Sequence, residues 1–257
     1  MPFDETITIL DNRKINDKYY KLRFSSHRLA KNVQPGQFLI LQINPNLDPF
    51  LRRPFSYYRV HGSEIEILYE VLGRGTAMLT AKKKGDLLRA IGPLGKSFTQ
   101  KMKNKKRVLI AGGVGVPPLV FFAEKFLVDF LLIGTKSKKE VLPKNELSKV
   151  RAEVRYSTND GSYGKKGYVT VLLEELLKKE SPKNLFIQTC GPNIMMEAVI
   201  KMAQRVGIEG EASVDKTMAC GVGACLGCMV KTYEGWKTSC VEGPVFSFEK
   251  LDLTNGL

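Results

Sequence analysis

The chain lacks any long apolar run. No stretch approaches about eighteen consecutive apolar residues, the length that predicts a membrane-spanning helix. The first ten residues, MPFDETITIL, also lack the basic segment and following apolar stretch of an export signal. We therefore expect a protein that does not cross a membrane, and we predict a cytoplasmic location.

Cysteine and histidine are scarce. Five cysteines in 257 residues are too few for a disulfide scaffold. Four of them fall between Cys220 and Cys240, which favours metal or redox chemistry. The two histidines, His27 and His61, have no sequence neighbours that suggest ligation or catalysis, so we expect both to be structural.

Acidic residues are outnumbered, 26 to 40, giving a net charge of +14. This excess favours anionic partners such as nucleotide phosphates. A nucleic-acid binder combines a basic stripe with stacking aromatics or a known binding motif. The basic runs here, such as Lys82–Lys84 and Lys178–Lys179, have neither. We interpret them as solvated surface and predict no nucleic-acid partner.

The first hundred residues alternate apolar and polar side chains, as in Tyr19–Phe24, Gln37–Ile43 and Glu64–Tyr69. Turn residues such as Pro35-Gly36 and His61-Gly62 separate these segments. Many short strands at this spacing are typical of an antiparallel barrel or sandwich. We predict a β-barrel domain over residues 1–101.

The pattern changes at the basic run Lys101–Arg107. Beyond it, uniformly apolar segments such as Val108–Ala111 and Phe130–Gly134 alternate with helical patterns, one of them from Asn193 to Val206 with Gly207 as its terminating residue. Strands that alternate with helices predict a parallel sheet. The fold class is therefore multi-domain α+β, with an α/β nucleotide domain over residues 102–210 and a cysteine-rich lobe over residues 211–257.

The cysteine-rich lobe contains the spacing C-x4-C-x2-C, formed by Cys220, Cys225 and Cys228. This is the plant-type [2Fe–2S] pattern, and Cys240 is the candidate fourth ligand. Glycines at 221, 223 and 227 allow the tight backbone that a cluster loop needs. A structural zinc normally uses two separated cysteine pairs, so iron is favoured over zinc. A zinc-stabilised binding protein remains the rival class, and a visible absorption spectrum separates the two.

Two segments of the barrel carry ligand-binding chemistry. In Arg52–Ser56, an arginine three positions before a serine places a guanidinium and a hydroxyl within reach of one ligand. In Gly73–Thr76, Gly-Arg-Gly-Thr opens a helix whose N–H groups suit a pyrophosphate. Each motif alone is weak, because such sequences also form ordinary turns and caps.

In this order, ahead of an α/β domain, the two segments resemble the flavin motifs of the ferredoxin-reductase-like superfamily. With Met218–Cys225 and the segment Cys240–Phe246, the chain is similar over essentially its whole length to the electron-transfer subunits of class 1B dihydroorotate dehydrogenases. The resemblance implies FAD, a [2Fe–2S] cluster and NAD(H). The residues it assigns to FAD are Arg53, Pro54, Phe55, Ser56, Leu68, Tyr69, Glu70, Gly75 and Thr76.

Two glycine-containing turns of the second domain, Ala111–Pro118 and Thr189–Pro192, each join a strand to a helix. Neither is the G-x-G-x-x-G fingerprint. The resemblance implies that both flank the nicotinamide. The candidate residues are Gly112, Gly113, Cys190, Gly191 and Pro192. The basic run Lys136–Lys139 leaves open whether the nucleotide is NADH, NADPH or neither.

The resemblance implies an electron-transfer subunit of an oxidoreductase, carrying electrons between NAD(H), FAD and the cluster. The partner it implies is an FMN-containing catalytic subunit that oxidises dihydroorotate in pyrimidine biosynthesis, in a heterotetramer of two of each chain. No residue of this chain is a candidate base for that oxidation, so we predict no catalytic residue here. The alternative is a related subunit of a ferredoxin:NAD(P)H oxidoreductase, sulfide reductase or hydrogenase.

Overall fold

The computed structural model describes residues 2–46, 48–102 and 104–257. Lys103, within the predicted boundary run, lies outside the described residues. Among the described residues, no helix combines the length and the apolar character that a membrane crossing requires.

The N-terminal part forms a curled antiparallel sheet, a half-barrel, in the order β4-β3-β7-β1-β2-β6-β5. This confirms the predicted antiparallel architecture. Its elements are β1 (Phe3–Lys14), β2 (Tyr19–Ser25), α1 (His27–Lys31), β3 (Phe38–Gln42), β4 (Arg53–Ser56), β5 (Arg59–His61), β6 (Glu64–Glu70), α2 (Arg74–Thr80) and β7 (Leu87–Leu94).

Alternation along the strands determines which side chains enter the half-barrel. In β6, Ile65, Ile67 and Tyr69 lie in its core, whereas Leu68 lies between them on the opposite face. Leu68 packs with residues of the second sheet instead. The outer face of β6 therefore faces the second sheet.

The central part forms a second sheet in the order β11-β10-β9-β8-β12-β13-β16, parallel except for the last pair. This confirms the predicted parallel sheet with crossover helices. The elements in chain order are β8 (Lys106–Gly112), α3 (Val116–Lys125), β9 (Phe130–Thr135), β10 (Glu153–Thr158), β11 (Lys165–Lys166), α4 (Thr170–Leu177), β12 (Leu185–Cys190), α5 (Asn193–Arg205), β13 (Glu209–Ser213), β14 (Met229–Thr232), β15 (Gly235–Thr238) and β16 (Val245–Ser247).

The uniformly apolar strands of this sheet are buried on both faces, as their composition predicts. In β8, Val108 and Ile110 pack toward α4 and α5, and Leu109 and Ala111 pack toward α3. Gly207 has φ +71° directly after the end of α5, in the left-handed conformation expected of a terminating glycine.

The cysteine-rich segment packs against both sheets and has no separate hydrophobic core among the described residues. Met218, Cys228 and Cys240 pack against Phe38 and Ile40 of β3. β14 and β15 form a hairpin, and β16 returns to pair with β13 of the second sheet. β13 itself runs across residue 210. The boundaries at 101 and 210 stay a prediction, since the segments share strands and core.

A buried ionic network joins the half-barrel to the second sheet. The carboxylate of Glu146, in a short 3-10 turn that follows β9, accepts hydrogen bonds from Lys21 Nζ at 2.7 Å and Arg59 Nη1 at 2.7 Å. Its side chain is 6% exposed. Burial acts to raise the pKa of Glu146, but these two cationic donors outweigh it and hold that pKa below its ordinary value.

Two further carboxylates complete the network. Arg59 Nε donates to Glu124 of α3 at 2.7 Å, and Glu66 of β6 lies 3.5 Å from Arg59 and 3.8 Å from Lys21. Charges from strands β2, β5 and β6 thereby meet charges from α3 and the 3-10 turn, so the two sheets are fixed relative to each other through desolvated ion pairs.

Substituting Glu146→Gln is expected to lower the free energy of unfolding by about 3–5 kcal/mol, because two buried cations lose their shared partner. The depressed pKa means that this contribution is present above the ordinary glutamate pKa and is lost as pH falls through the folded-state value. Denaturant titrations of both proteins at neutral and acidic pH measure the difference. Glu64→Gln, which removes an exposed partner of Arg23, is the control and should change stability by less than about 1 kcal/mol.

Candidate functional site: an intersheet cleft and a cysteine loop

An open cleft lies where the half-barrel, the second sheet and the cysteine-rich segment meet. All nine residues assigned to FAD by the sequence line it, and so do Cys190 and Gly191. Gly112, Gly113 and Pro192 are not among its lining residues. Ten further residues line the cleft: Phe38, Leu72, Gly73, Arg74, Val114, Gly115, Ser213, Asp215, Met218 and Pro244. Gly73, Arg74, Val114 and Gly115 belong to motifs that the sequence analysis named as ligand-binding, and Phe38, Leu72, Ser213 and Asp215 lie outside every segment it named for a ligand or for the family resemblance.

Arg53 is held in place from two sides. Its guanidinium donates to the carbonyl of Leu51, and Gly75 of α2 lies directly against it. A Cβ atom at Gly75 would overlap the guanidinium of Arg53. The glycine is therefore required by the close approach of Arg53, and the two residues together present one cationic group and unobstructed backbone to the cleft.

Thr76 uses its hydroxyl locally. Thr76 Oγ1 accepts from the backbone N–H of Leu72 at 3.0 Å and of Gly73 at 3.2 Å, and donates to the Gly73 carbonyl at 3.0 Å. These bonds close the turn at the start of α2. What Thr76 has to offer a ligand is its main chain rather than its hydroxyl.

The strand β6 presents different parts of its residues to the cleft. The Tyr69 side chain points into the half-barrel, is 2% exposed, and donates to Asn12 Oδ1 at 3.1 Å. Its contribution to the cleft is thus from the backbone. The Glu70 carboxylate lies 3.6 Å from Nζ of Lys18, which is in the turn between β1 and β2 and also contacts Glu140 of the second domain at 3.1 Å.

Phe55 is mostly inside the half-barrel. Its ring is 8% exposed and meets the ring of Tyr69 edge-on, with centroids 6.0 Å apart. It therefore presents only a small apolar surface to the cleft. Ser56, the next residue, is less buried and completes this wall.

The far wall of the cleft lies at the switch point of the second sheet. The chain passes from β8 outward to β9 and β10, then back to β12 on the other side of β8, an arrangement whose crevice is the usual ligand site of α/β sheets. Here Cys190 pairs with Ala111 across β12 and β8. A Cβ atom at Gly115 would overlap the carbonyl of Cys190, so the two turns touch.

Cys190 is 7% exposed and lies opposite Ser213 in the pairing of β12 with β13. Burial raises the pKa of Cys190 to about 12, so the group is a neutral thiol at neutral pH. It provides a small neutral lining group rather than a nucleophile. Ser213 and Asp215 lie at and just after the carboxyl end of β13, the strand beside β12, and no motif in the sequence marks them.

The four clustered cysteines lie close together. The N–H of Cys225 bonds the sulfur of Cys220 at 3.4 Å, and Cys228 and Cys240 pack in one apolar cluster. Within the described part of the chain, no three histidine, cysteine, aspartate or glutamate side chains converge as the ligands of one ion do. The C-x4-C-x2-C spacing followed by Cys240 is what favours a [2Fe–2S] cluster over one tetrahedral zinc.

Backbone N–H groups point at these sulfurs. The Cys220 sulfur accepts from Val222 and Cys225 at 3.4 Å each, and the Cys240 sulfur accepts from Gly223 at 3.2 Å. Burial acts to raise the pKa of Cys220, but these N–H donors outweigh it and lower that pKa to about 6. Donors of this kind also stabilise the negative charge of a bound cluster.

The loop geometry partly follows the glycine prediction. Gly221 and Gly223 have φ values of +72° and +82°. Gly227 does not adopt a positive φ; Leu226 does instead, at +56°. Gly221 also needs its small size, because a Cβ there would lie 2.9 Å from Ile40 Cδ1 of the half-barrel. The loop is therefore seated against β3.

Comparison with known proteins assigns the cysteine-rich segment and the second sheet to known domain families. Residues 215–252 match a family model described as the iron-sulfur cluster binding domain of dihydroorotate dehydrogenase B, and residues 109–201 match an oxidoreductase NAD-binding domain. The electron transfer subunit of dihydroorotate dehydrogenase B (NAD(+)) from Clostridium acetobutylicum is 38% identical over 250 residues, covering 96% of each chain. The corresponding subunit from Desulforamulus reducens is 36% identical and covers 88% of this chain and 90% of its own. The chain belongs to the family of dihydroorotate dehydrogenase B electron-transfer subunits.

Solved structures agree with this family. A structure of the NADH-dependent reduced ferredoxin-NADP oxidoreductase, studied for flavin-based electron bifurcation, has a TM-score of 0.84 at 25% identity, covering 96% of this chain and 89% of its own. A ferredoxin NADP+ reductase from Neisseria gonorrhoeae with bound FAD and NADP has a TM-score of 0.68 at 17% identity, covering 79% and 92%. The second shows the fold alone. The predicted ferredoxin-reductase-like fold is confirmed.

Gly75→Ala is expected to weaken FAD binding, because the added methyl group displaces the Arg53 guanidinium from the cleft. If that guanidinium makes one charged hydrogen bond to phosphate, the loss is about 1.5–3 kcal/mol, as for Arg53→Ala. Fluorescence titration of FAD into the flavin-free protein measures it. Adding Gly75→Ala to Arg53→Ala should cost little more, since both changes remove the same guanidinium from the cleft. Equal FAD affinities for Gly75→Ala and the wild type would contradict the assignment of Arg53.

Cys225→Ser is expected to abolish the cluster and to leave FAD bound, because the predicted flavin residues belong to other segments. Iron and flavin content, determined chemically on the same anaerobic preparation, provide the measurement. Cys190→Ser, a change outside the cysteine loop, should retain iron at the wild-type ratio. A Cys225→Ser protein with full iron content would remove Cys225 from the ligand set.

Proposed function

We propose that this chain is the electron-transfer subunit of a dihydroorotate dehydrogenase B complex, carrying electrons between NAD(H) and an FMN-containing catalytic subunit through FAD and a [2Fe–2S] cluster. The observation that carries this proposal is that the cleft and the cysteine loop share a wall: Phe38 and Met218 both line the cleft and pack in the cluster of apolar residues around Cys228 and Cys240. A flavin site and an iron-sulfur site are therefore adjacent.

The chemistry divides among cofactor and protein. FAD, when bound, exchanges a hydride with the nicotinamide and single electrons with an iron-sulfur cluster. The chain's own residues would hold the two groups: Arg53, Gly75 and Thr76 at the pyrophosphate, and the wall of Ser56 and β6 beside the ring system. Cys190 and Gly191, at the opposite wall, would border the nicotinamide.

The relatives' name specifies NAD(+), which supports NADH as the nucleotide substrate. Lys136–Lys139 form an exposed turn after β9, and the N–H of Lys138 donates to Ser162 Oγ at 2.8 Å. This turn lies beside the end of β10. Its lysines are the one feature that favours a 2′-phosphate and therefore NADPH. We propose NADH on the relatives' name and test NADPH beside it.

The partner subunit would dock at the cysteine loop. Cys225 is exposed, and three apolar side chains around it are also exposed: Val222 at 47%, Leu226 at 60% and Val241 at 48%. Exposed apolar surface beside a redox centre is consistent with a protein partner there.

We further propose two copies of each subunit in the complex, a cytoplasmic location, and division of this chain into domains at residues 101 and 210.

Anaerobically purified protein is expected to contain FAD and two irons per chain, to absorb as flavin with a broad iron-sulfur shoulder, and to be bleached faster by NADH than by NADPH. Addition of the catalytic subunit and dihydroorotate should then couple NAD+ reduction to orotate formation, and light scattering of the complex should give the mass of two subunits of each kind. A colourless protein with stoichiometric zinc would refute the proposal. Flavin reduction without any coupling to dihydroorotate would favour the ferredoxin:NAD(P)H alternative.

A further inference from the structure

The turn between β1 and β2, residues 15–18, belongs to the half-barrel but is bonded to loops of the second sheet. Asn16 Oδ1 closes this turn by accepting from the N–H groups of Lys18 at 2.9 Å and Tyr19 at 2.8 Å. Asn16 Nδ2 donates to the carbonyl of Val141 at 3.1 Å. Because one side chain makes all three bonds, the turn has a fixed shape and a fixed position against the segment that follows β9.

The Tyr19 side chain reaches the turn that follows β8. Its hydroxyl donates to the carbonyl of Gly113 at 2.7 Å, and the residue is 1% exposed. Burial raises the pKa of Tyr19 well above its ordinary value, so the hydroxyl keeps its proton and remains a donor. The Gly113 carbonyl also accepts from the Val116 N–H, and Gly113 itself has a φ of +52°. Tyr19 is therefore bonded to the residue at which the chain turns from β8 toward Val114 and Gly115, which line the cleft.

The Lys18 side chain reaches the turn that follows β9. Lys18 Nζ lies 3.1 Å from the carboxylate of Glu140 and 3.6 Å from that of Glu70, and the Lys18 side chain is 9% exposed. The Glu140 carboxylate also accepts from the N–H of Lys136 at 3.2 Å, so it closes its own turn. Lys18 therefore ties this turn to Glu70, a residue of the cleft wall in the half-barrel.

The two turns lie side by side at the carboxyl edge of the second sheet, because β8 and β9 are neighbouring parallel strands. Ligands of α/β sheets bind at this edge. In dinucleotide-binding sheets the first turn approaches the pyrophosphate, and a side chain about 20 residues further along contacts the ribose. The turns at Gly113 and Lys136 occupy these two places. One turn of the half-barrel thus holds both segments that would hold the nucleotide.

Hydride transfer is sensitive to such placement, because the reacting atoms must approach to about 3–3.5 Å and a shift of about 1 Å can cost about a hundredfold in rate. We propose, resting on the function proposed above, that Tyr19 is a positioning residue for this transfer: through the Gly113 carbonyl it fixes the turn that holds the nicotinamide nucleotide relative to the flavin wall. Lys18 fixes the turn after β9 in the same way. Tyr19 is not among the residues that line the cleft, so it acts through Gly113 and exchanges no proton with a ligand.

Tyr19→Phe tests this in the full chain loaded with FAD and cluster, because it removes one hydrogen bond and keeps the ring. In anaerobic stopped-flow, we expect flavin reduction at saturating NADH to slow by about two- to tenfold, the range for one hydrogen bond. The NADH concentration that gives half the maximal rate should stay nearly constant. Reduction by dithionite, which needs no nucleotide site, should keep the wild-type rate. The long-wavelength absorbance of NAD+ stacked on reduced flavin should weaken.

Tyr20→Phe is the matched control. Tyr20 is the next residue of β2, and its ring packs near that of Tyr69 in the half-barrel, with centroids 5.7 Å apart. It should leave both reduction rates and the absorbance unchanged. If Tyr19→Phe slowed reduction by NADH and dithionite equally, or lowered only thermal stability, Tyr19 would be structural and the inference wrong. A change confined to the half-saturating NADH concentration would also overturn it. Wild-type flavin that neither NADH nor NADPH reduces would instead refute the proposed function.

Discussion

The ion pairs around Glu146 fix the half-barrel relative to the second sheet, and the shape of the cleft depends on that alignment. The cleft has one wall in the half-barrel and one in the second sheet, so its shape is set by how the two are joined. Lys21, Arg59 and Glu146 join them through short, desolvated hydrogen bonds. Apolar packing alone would resist separation but would tolerate sliding, whereas directional bonds between buried charges fix one alignment. Removing Glu146 takes away the one carboxylate that bonds both cations at 2.7 Å.

The same principle of shared walls explains why the cysteine-rich segment has no core of its own. Its loop is seated on β3 through Gly221, and its last strand, β16, extends the second sheet. A segment of this size buries too little apolar surface to fold alone. Packing against both sheets stabilises the segment. The same packing places it next to the cleft rather than at the end of a linker.

Much of the fold could be predicted from the sequence, because its signals are local. Alternation in Glu64–Tyr69 and the uniformly apolar Val108–Ala111 each identify a strand type, and Gly207 marks the end of α5. The spacing of Cys220, Cys225 and Cys228 identified the cluster family. These features depend on neighbours within a few residues, and so does each flavin motif.

The rest of the site could not be predicted, because it depends on contacts between distant segments. Ser213 and Asp215 approach Cys190 only through the pairing of β13 with β12, and Met218 and Pro244 reach the cleft only because the last strand folds back. Leu226 takes the positive φ that the glycine pattern predicted for Gly227, since the course of the loop is set by its seat on the half-barrel. The Gly-Arg-Gly-Thr motif likewise does not show that the Thr76 hydroxyl forms its hydrogen bonds within its own turn.

The common wall formed by Phe38 and Met218 has a kinetic consequence. Many electron carriers swing a mobile head between donor and acceptor, and their turnover is then limited by that swing. Here Phe38 and Met218 line the cleft and also pack around Cys228 and Cys240, so electron tunnelling between a flavin and a cluster held at these two places would require no conformational gate. The rate of electron transfer between them would depend on the driving force and on the distance between the cofactors. Solvent viscosity and crowding should not change it.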